Sequence, residues 1–337
     1  MTRVLVSGGN GYIAGWCIVQ LLEAGHDVVT TVRSDAREVE ARAAIATHCD
    51  SAAAVTFVRA DLDHDDGWDD ATMGCDFVLH VASPLSADEN DPDATISQAR
   101  DGTLRVLAAA DRARVQRVVL TSSCAAATPL STQLSGVVDE SLWTDADEPG
   151  LGAYRRSKTL AERAAWDLVG RGCSFELTTI LPAAVFGPAL SASSIGPLQL
   201  ISALLDGSAI AIPRLGFEVV DVRDVAAAHL LAMTSPSAAG QRFIVSGDVL
   251  WFGDVADILR AHLGDDASRV PTTTLTDDEF RSIAELSPQL ASLLPLLGRD
   301  LQHSSGHAQR VLGWTARPAT ETIVDAARCL IAFGAVN

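Results

Sequence analysis

The sequence predicts a doubly wound α/β fold, in which a parallel sheet of the Rossmann type carries helices on both faces. Short β-branched runs alternate with longer segments of helical periodicity through the first half of the chain. A glycine-rich turn follows the first of these runs, where such a fold places one. At 337 residues, 48% of them hydrophobic, the chain is also long and apolar enough to bury a large core.

The predicted elements follow one another in the order that this fold requires. Residues 3–7 form a short apolar run, residues 12–24 carry apolar side chains at helical spacing, and Gly25 suits the C′ position of that helix. Further strands are predicted at residues 26–32, 55–59, 77–81, 117–122 and 176–181, and further helices at 101–114 and 155–169.

Beyond Pro182 the alternation gives way to loops rich in glycine, proline and serine, which predict a change of domain. We expect residues 1–182 to form the first domain and residues 183–337 mainly a smaller, interleaved one. Strands predicted at 217–221 and 243–246 would return the chain to the first domain around residues 217–247. Helices are predicted at residues 198–205 and 254–263.

Composition argues against several classes of partner. A formal net charge of -18 repels the phosphates of nucleic acids and anionic membranes, so we expect neither as a partner. No stretch approaches the roughly 20 apolar residues that cross a bilayer, and the N-terminus lacks a signal-peptide pattern. Six scattered cysteines without a C-x-x-C pair favour a reduced, cytoplasmic compartment. The oligomeric state stays open between monomer and homodimer.

Residues 7–14 read Ser-Gly-Gly-Asn-Gly-Tyr-Ile-Ala, a glycine turn at the junction of the first strand and helix. Gly8 permits the tight turn, Gly11 allows close approach of a pyrophosphate, and Ala14 keeps the helix near the strand. The N–H groups of the helix N-terminus then face the phosphates. The residues predicted to contact a dinucleotide here are Gly8, Asn10, Gly11, Tyr12 and Ile13.

The end of the second predicted strand indicates which dinucleotide binds. Arg33 can pair with a 2′-phosphate and Ser34 can add a hydroxyl donor, which favours NADP(H), and Arg37 is predicted to assist. The neighbouring Asp35 keeps NAD open as an alternative, because a carboxylate there would hold the ribose hydroxyls. After the third strand, Asp61 and Leu62 are predicted to contact the adenine, with helix capping as the alternative role of the aspartate.

Lys158 is the only lysine among the 25 basic residues, and it stands four positions after Tyr154, one of two tyrosines. At that spacing the two side chains share a helix face. A phenol can donate the proton that a carbonyl needs on reduction, and a nearby ammonium is predicted to lower the pKa of the phenol. The compact ammonium can also reach ribose hydroxyls, which a guanidinium would not do in the same space.

A third catalytic group is predicted at the end of the fifth strand, where Thr121, Ser122 and Ser123 follow one another. Ligands of such sheets bind at this carboxyl edge. We favour Ser123 as the hydroxyl that polarises a carbonyl, with Ser122 as the alternative. His303 and His307 stand four residues apart, but nothing completes a ligand set, so no metal site is predicted.

These motifs resemble the extended short-chain dehydrogenases/reductases, and most closely the branch of dihydroflavonol 4-reductases, cinnamoyl-CoA reductases and aldehyde/ketone reductases. The matching segments include residues 7–14, 31–33, 80–84, 121–123, 154–165 and 312–314. The resemblance implies that Tyr154 donates the proton, that Lys158 supports it, and that Ser123 polarises the carbonyl.

The resemblance also assigns residues around the cofactor. Val81, Ala82 and Ser83 would line the dinucleotide, and Pro182 and Val185 would flank the nicotinamide. Asp224 matches the family pattern as well, and because it precedes a helical run we expect it to cap that helix. The substrate pocket is expected in apolar segments that include Pro84 and Leu85, residues 125–130 and residues 186–198.

The sequence therefore predicts an NADP(H)-dependent reductase of ketones or aldehydes with apolar substituents. The first alternative is a nucleotide-sugar epimerase or dehydratase with bound NAD, which Arg33 disfavours. The pyrophosphate of a nucleotide-sugar substrate would also need basic residues to bind it, and residues 191–217 contain only Arg214 as a basic residue. A non-catalytic redox sensor of related fold is the second alternative, but a sensor would not require the tyrosine and lysine pair.

The solitary lysine leads to a prediction about Lys158→Arg. The variant should keep its charge and fold but lose about a hundredfold or more in turnover, because the broader guanidinium would displace the phenol or the ribose. Turnover at saturating NADPH, with circular dichroism as the folding control, measures this. Near wild-type turnover in a folded variant would show that any cation suffices at this position.

Overall fold

The computed structural model describes residues 2–84, 91–130, 132–133, 135–291 and 293–336, without the side chains of Pro92, Pro288 and Gln289. Leu85, predicted to line the substrate pocket, lies outside the described residues. The strands in the described part are β1 (Arg3–Val6), β2 (Asp27–Val32), β3 (Thr56–Arg59), β4 (Phe77–His80), β5 (Arg117–Thr121), β6 (Ser135–Val138), β7 (Glu176–Pro182), β8 (Ala184–Phe186), β9 (Gly216–Asp221), β10 (Arg242–Val245), β11 (Val249–Trp251) and β12 (Asp300–His303).

Helices alternate with these strands along the chain. Those in the described part are α1 (Tyr12–Glu23), α2 (Asp35–Ala46), α3 (Trp68–Thr72), α4 (Pro92–Ala113), α5 (Ala153–Gly170), α6 (Gln199–Asp206), α7 (Val222–Thr234), α8 (Phe252–Leu263), α9 (Asp277–Ala284), α10 (Pro288–Ala291), α11 (Gly306–Leu312) and α12 (Ala319–Ala332). No helix among the described residues combines the length and the apolarity that crossing a bilayer would require.

Seven strands form one parallel sheet in the order β10-β7-β5-β4-β1-β2-β3. The chain runs outward in one direction from β1 through β2 to β3, and in the other direction from β4 onward. Loops at the carboxyl ends of β1 and β4 therefore diverge, which opens a crevice between them. The predicted doubly wound fold is confirmed, and the predicted strands match the observed ones to within a residue or two.

Two small sheets lie outside this large one. β9 pairs antiparallel with β11 and parallel with β8, and β6 pairs parallel with β12. Of the two segments expected to return to the first domain, β10 joins the large sheet beside β7, whereas β9 belongs to a small sheet.

One helix is longer than predicted and another was not predicted, both for local reasons. α4 begins at Pro92 rather than near residue 101, because the Asp91 carboxylate accepts the Ala94 N–H at 3.0 Å and proline is tolerated in the first turn. α2 was not predicted, and among its residues only Ala41 and Ile45 are buried. Two buried positions leave too little apolar periodicity to mark a helix in the sequence.

Asp224 does not cap α7, so the prediction for this residue is wrong. The capping residue is Asp221, whose carboxylate accepts the Arg223 N–H at 2.8 Å. Asp224 lies in the first helical turn and instead accepts the backbone N–H of Arg317 at 2.7 Å. Each aspartate therefore makes a structural hydrogen bond, and that of Asp224 links α7 to the segment that precedes α12.

Helices cover both faces of the large sheet. α1 and α7 pack together on one face, where their core continues into α8 and α12. α4 and α5 pack together on the other face with α3. Because α5 carries both Tyr154 and Lys158, its burial against the sheet sets the position of the predicted catalytic pair.

The turn between β1 and α1 is shaped by contacts that exclude side chains. Gly8 has a φ of 76°, and a Cβ at this residue would lie 3.0 Å from the Cβ of Ala82. Gly9 faces β2 so closely that a Cβ would lie 2.8 Å from Cγ2 of Thr30. The Thr30 hydroxyl in turn donates to the Val6 carbonyl at 2.6 Å, so it cannot move away freely.

We predict that Gly9→Ala destabilises the protein by about 1–3 kcal/mol, because the new methyl group overpacks the buried Thr30. Denaturant unfolding measures the change. Gly170→Ala is the matched control, since a Cβ there meets nothing within 4 Å and alanine favours the helix. Equal stability of the two variants would contradict the close contact, whereas the double variant with Thr30→Ala should regain part of the loss.

Candidate active site

A cavity of about 710 Å³ opens at the carboxyl ends of β1, β4, β5 and β7. It lies over the point where the strand order reverses, the usual ligand position in such sheets. The predicted site residues that line it are Gly8, Asn10, Gly11, Tyr12, Ile13, Arg33, Asp61, Leu62, Val81, Ala82, Ser83, Ser123, Tyr154, Lys158, Pro182 and Val185. Ser34 and Arg37, which were also predicted to contact the cofactor, do not line it.

The glycine turn and the start of α1 form one end of the cavity. Gly8 N–H donates to the Thr31 hydroxyl at 2.9 Å, and Gly9 N–H donates to the Thr31 carbonyl at 2.9 Å, which fix the turn to β2. Gly11 is the N-cap of α1 and supplies no side-chain cap. The N–H groups of its first turn therefore lack intrahelical acceptors, which makes this helix end suited to a phosphate.

Arg33 lies beside this helix end and is exposed at the rim of the cavity. It forms no ion pair or hydrogen bond with the described residues. The Ser34 side chain instead accepts the Arg37 N–H at 3.4 Å as the cap of α2. Arg37 pairs with Glu40 at 2.8 Å, so Arg33 is the basic side chain of this group that remains available for a 2′-phosphate.

Asp35, the residue that kept NAD open, is paired with Arg59. The guanidinium of Arg59 contacts Asp35 and also Glu38, the latter at 2.7 Å. This pairing lowers the pKa of Glu38 and draws both carboxylates toward β3. A carboxylate held by a guanidinium is less able to accept from ribose hydroxyls, which favours a dinucleotide with a 2′-phosphate.

Asp61 and Leu62 line the cavity on the far side of β2 from Gly8. The Asp61 carboxylate accepts the Asp63 N–H at 3.2 Å in a turn, and the N-cap of α3 is the later residue Gly67. The alternative of a helix cap is thus not realised by Asp61. Leu62 packs against Gly102 of α4, where a Cβ would lie 2.8 Å from the Leu62 side chain.

Tyr154 and Lys158 lie one turn apart on α5, and the Lys158 Nζ is 5.9 Å from the centre of the Tyr154 ring. Tyr154 keeps 37% of its surface exposed, so its ring is accessible from the cavity, whereas its hydroxyl is surrounded by protein atoms. Lys158 is buried, and its Nζ donates to the Ser83 hydroxyl at 2.9 Å. Ser83 therefore anchors the lysine between the phenol and the loop that follows β4.

The electrostatic environment differs from the predicted one in one respect. Burial raises the pKa of the Tyr154 phenol, and its hydrogen bond with Ser123 acts in the lowering direction. The net change is opposite to the predicted one, because burial outweighs the hydrogen bond, and Lys158 donates to Ser83 rather than to the phenol. Burial lowers the pKa of Lys158 to about 8, against an opposing effect of Glu162. The phenol is therefore kept protonated at neutral pH, and the lysine can lose its proton under mildly alkaline conditions.

The structure distinguishes the two candidate serines. Ser122 is buried and donates its hydroxyl to Glu162 at 2.5 Å. Ser123 lies at the next position, accepts the Ala125 N–H at 3.1 Å, and keeps its hydroxyl proton for Tyr154 or a substrate. These contacts favour Ser123 as the carbonyl-polarising residue.

Several residues of the site were not singled out from the sequence. Ser7 accepts the N–H groups of Val81 and Ala82 at 2.9 Å each, so it must donate to Nδ1 of His80, 2.8 Å away. Burial and the charge of Lys158 lower the pKa of His80 to about 3, so His80 stays neutral. His80 and Glu162 lie in segments that match the family, but their roles could not be assigned from the sequence, since these depend on neighbours that are far away in the chain.

His303 and His307 have partners within the protein. Nδ1 of His303 bonds Glu218 at 2.5 Å, and its Nε2 bonds Thr128 at 3.1 Å. Nε2 of His307 bonds Gln241 at 3.2 Å. Among the described residues no group of three or more metal-ligating side chains comes together.

Comparison with known families identifies the chain. Residues 4–246 match the NAD dependent epimerase/dehydratase family. The chain belongs to this family. The predicted resemblance to the extended short-chain dehydrogenases/reductases is thereby confirmed.

The relatives that this chain matches include several reductases. A cinnamoyl-CoA reductase of Medicago truncatula is 36% identical over 304 residues, which cover 87% of this chain and 90% of that protein. A ketoreductase of Aspergillus niger is 36% identical over 300 residues, 82% of this chain and 87% of that protein. The structure of yeast methylglyoxal/isovaleraldehyde reductase complexed with NADPH superposes with a TM-score of 0.82 at 28% identity, covering 99% of both chains.

We predict that Arg33→Ala weakens binding of NADPH about tenfold to a hundredfold and leaves binding of NADH nearly unchanged. A charge-assisted bond to a phosphate contributes about 1.5–3 kcal/mol, and only NADPH carries the 2′-phosphate. Fluorescence titration of both cofactors measures the two losses. Arg37→Ala is the matched control and should lose less, because Arg37 is paired with Glu40. Equal losses for both cofactors would make Arg33 a structural residue.

Proposed function

We propose that this protein is an NADP(H)-dependent carbonyl reductase, which transfers a hydride between C4 of NADPH and a ketone or aldehyde with apolar substituents. The observation that carries the proposal is the position of the only lysine, buried one helical turn from Tyr154 in the cavity that Arg33 borders. The comparisons bear out the predicted oxidoreductase class and NADP(H) cofactor, since the similar proteins are reductases and one is complexed with NADPH.

The residues present fit a dinucleotide. The uncapped start of α1 and Gly11 would face the pyrophosphate, Arg33 would pair with the 2′-phosphate, and Lys158 would hold the ribose of the nicotinamide half. Pro182 and Val185 border the same cavity at the end of β7 and start of β8, where they would flank the nicotinamide. When bound, NADPH supplies the hydride.

The protein groups then handle the proton. Ser123 would donate a hydrogen bond to the carbonyl oxygen, and Tyr154 would transfer its phenolic proton to that oxygen as negative charge develops. The raised pKa of Tyr154 keeps this donor protonated before the reaction. The positive charge of Lys158 would stabilise the phenolate that remains, which requires that the lysine itself stay protonated.

The apolar part of the cavity supports the proposed substrate class. Besides the cofactor residues, Ala183, Ala184, Phe186 and Pro197 border it. They follow β7, so we propose that residues 183–337 contribute mainly to the substrate side and residues 1–182 to the cofactor side. Such a wall binds alkyl or aryl groups and offers no basic side chain for an anionic one.

The alternative of a nucleotide-sugar epimerase is less supported. Arg214, the only basic residue available in its segment, is paired with Asp277 at 2.5 Å. Held by this pair, it is not directed toward a pyrophosphate. The two relatives at 36% identity described above are also named as reductases, and Arg33 suits NADP(H) rather than a tightly held NAD.

We also propose a cytoplasmic location. The support is chemical: the six cysteines are free thiols, and burial raises the pKa of Cys17, Cys75 and Cys124 above the ordinary value. Unpaired buried thiols are typical of a reducing compartment.

We predict that Tyr154→Phe removes the proton donor with little change in volume, so that NADPH affinity stays nearly intact and turnover falls about a hundredfold or more. Reduction of a panel of ketones and aldehydes, followed by NADPH absorbance, measures turnover, and fluorescence titration measures affinity. A folded variant that retains more than about a tenth of wild-type turnover would exclude Tyr154 as the general acid.

A further inference from the structure

Glu162 is a fully buried carboxylate one helical turn beyond Lys158 on α5. Its Oε2 accepts from Ser122 at 2.5 Å, and its Oε1 accepts from Thr179 at 2.8 Å and from Trp166 at 3.3 Å. The Arg242 guanidinium donates to both oxygens, at 2.8 and 3.2 Å. A carboxylate with this many donors is held in one orientation.

Arg242 connects Glu162 to residues 140–143. It donates to the carbonyls of Glu140 at 2.6 Å and Leu142 at 2.9 Å, and its guanidinium lies 3.6 Å from the centre of the Trp143 ring. Through Glu162, α5 is thereby joined to β5, β7 and β10 at the edge where Ser123 and Tyr154 meet. Burying an ion pair is costly and contributes little to stability by itself, so stability alone does not account for this pair.

We propose that Glu162 is a positioning residue of the reaction, whose buried carboxylate lies one helical turn from Lys158 and whose hydrogen bond with Ser122 directs the adjacent Ser123 toward the substrate. The inference depends on the proposed roles of Tyr154 and Lys158. Glu162 does not line the main cavity and so would act through these residues rather than on the substrate.

The charges around Lys158 determine the direction of the effect. Tyr154 and Glu162 face it from α5, and His80 faces it from the end of β4. His80 is neutral, which leaves Glu162 as the negative charge that opposes the burial of Lys158, and Arg242 of β10 partly offsets it. Cys124 and Glu140 lie farther from Lys158, on the side where Arg242 pairs with Glu162.

Burial and Glu162 act on the pKa of Lys158 in opposite directions. Burial lowers the pKa of Lys158 and Glu162 raises it. Removing the charge of Glu162 would lower the pKa of Lys158 further, so the lysine would lose its proton at lower pH. Removing the charge of Arg242 would leave Glu162 uncompensated and move the pKa of Lys158 upward.

Because the chain has one lysine, the experiment can observe Lys158 alone. Protein labelled with carbon-13 at the lysine Cε gives one side-chain signal, whose chemical shift reports protonation as the pH is varied. We expect Glu162→Gln to move this titration to lower pH by roughly half a unit or more, and Arg242→Gln to move it to higher pH. The alkaline limb of turnover against pH should move with the lysine signal in each case.

The matched control is Glu176→Gln. Glu176 pairs with the buried Arg117 at 2.6 Å, on β7 and β5 as well, but at the opposite end of these strands. Its loss should affect stability and leave the lysine titration in place. Glu162→Asp, which keeps the charge, should restore most of the wild-type titration. The two test variants are expected to shift the titration of Lys158 in opposite directions. The inference can therefore be tested even if only one of them folds.

Two outcomes would overturn the inference. A lysine titration that stays in place in folded Glu162→Gln would show that Glu162 does not set the protonation of Lys158. A lysine signal that moves while the rate profile stays would show that the charge of Lys158 does not limit turnover, so the proposed role of Lys158 would fail and the positioning role with it. Activity that persists in Tyr154→Phe would instead contradict the proposed function, and with it the basis of the inference, whereas an unmoved lysine titration would leave the proposed function intact.

Discussion

The burial of one ammonium group organises this site. Lys158 has to remain charged in a place from which water is largely removed, so the surrounding protein must supply what water would have supplied. The Ser83 hydroxyl provides an acceptor on one side, and the Glu162 carboxylate provides opposite charge one turn away. Helix α5 keeps these groups in register with Tyr154, and its packing against α4 and the sheet keeps the helix in place.

The parts of the structure that were predictable from the sequence are those with local or periodic signals. Alternation of strands and helices predicted the large sheet, and the spacing of Tyr154 and Lys158 predicted a shared helix face. The position of Arg33 after β2 indicated the cofactor. Each of these features depends on residues that lie close together in the chain, so that their spacing alone carries the information.

Other features could not be predicted, because they depend on distant neighbours. α2 has a mostly solvated surface and so no apolar stripe, and Asp221 displaced Asp224 as a cap through its contact with Arg223. The direction of the pKa change at Tyr154 depends on burial, which a sequence does not reveal. Glu162 resembles any helical surface glutamate until Arg242, 80 positions later, is brought against it.

The pairing of β6 with β12 has a consequence for how the protein is made. The strand Ser135–Val138 pairs with Asp300–His303, which lies close to the other end of the chain. During synthesis the cofactor half of the large sheet can assemble early, whereas the strand that follows the 124–130 segment must wait for a late partner. The nascent chain would therefore acquire its nucleotide cleft before the wall that surrounds a substrate, and NADPH could stabilise it by mass action in that interval.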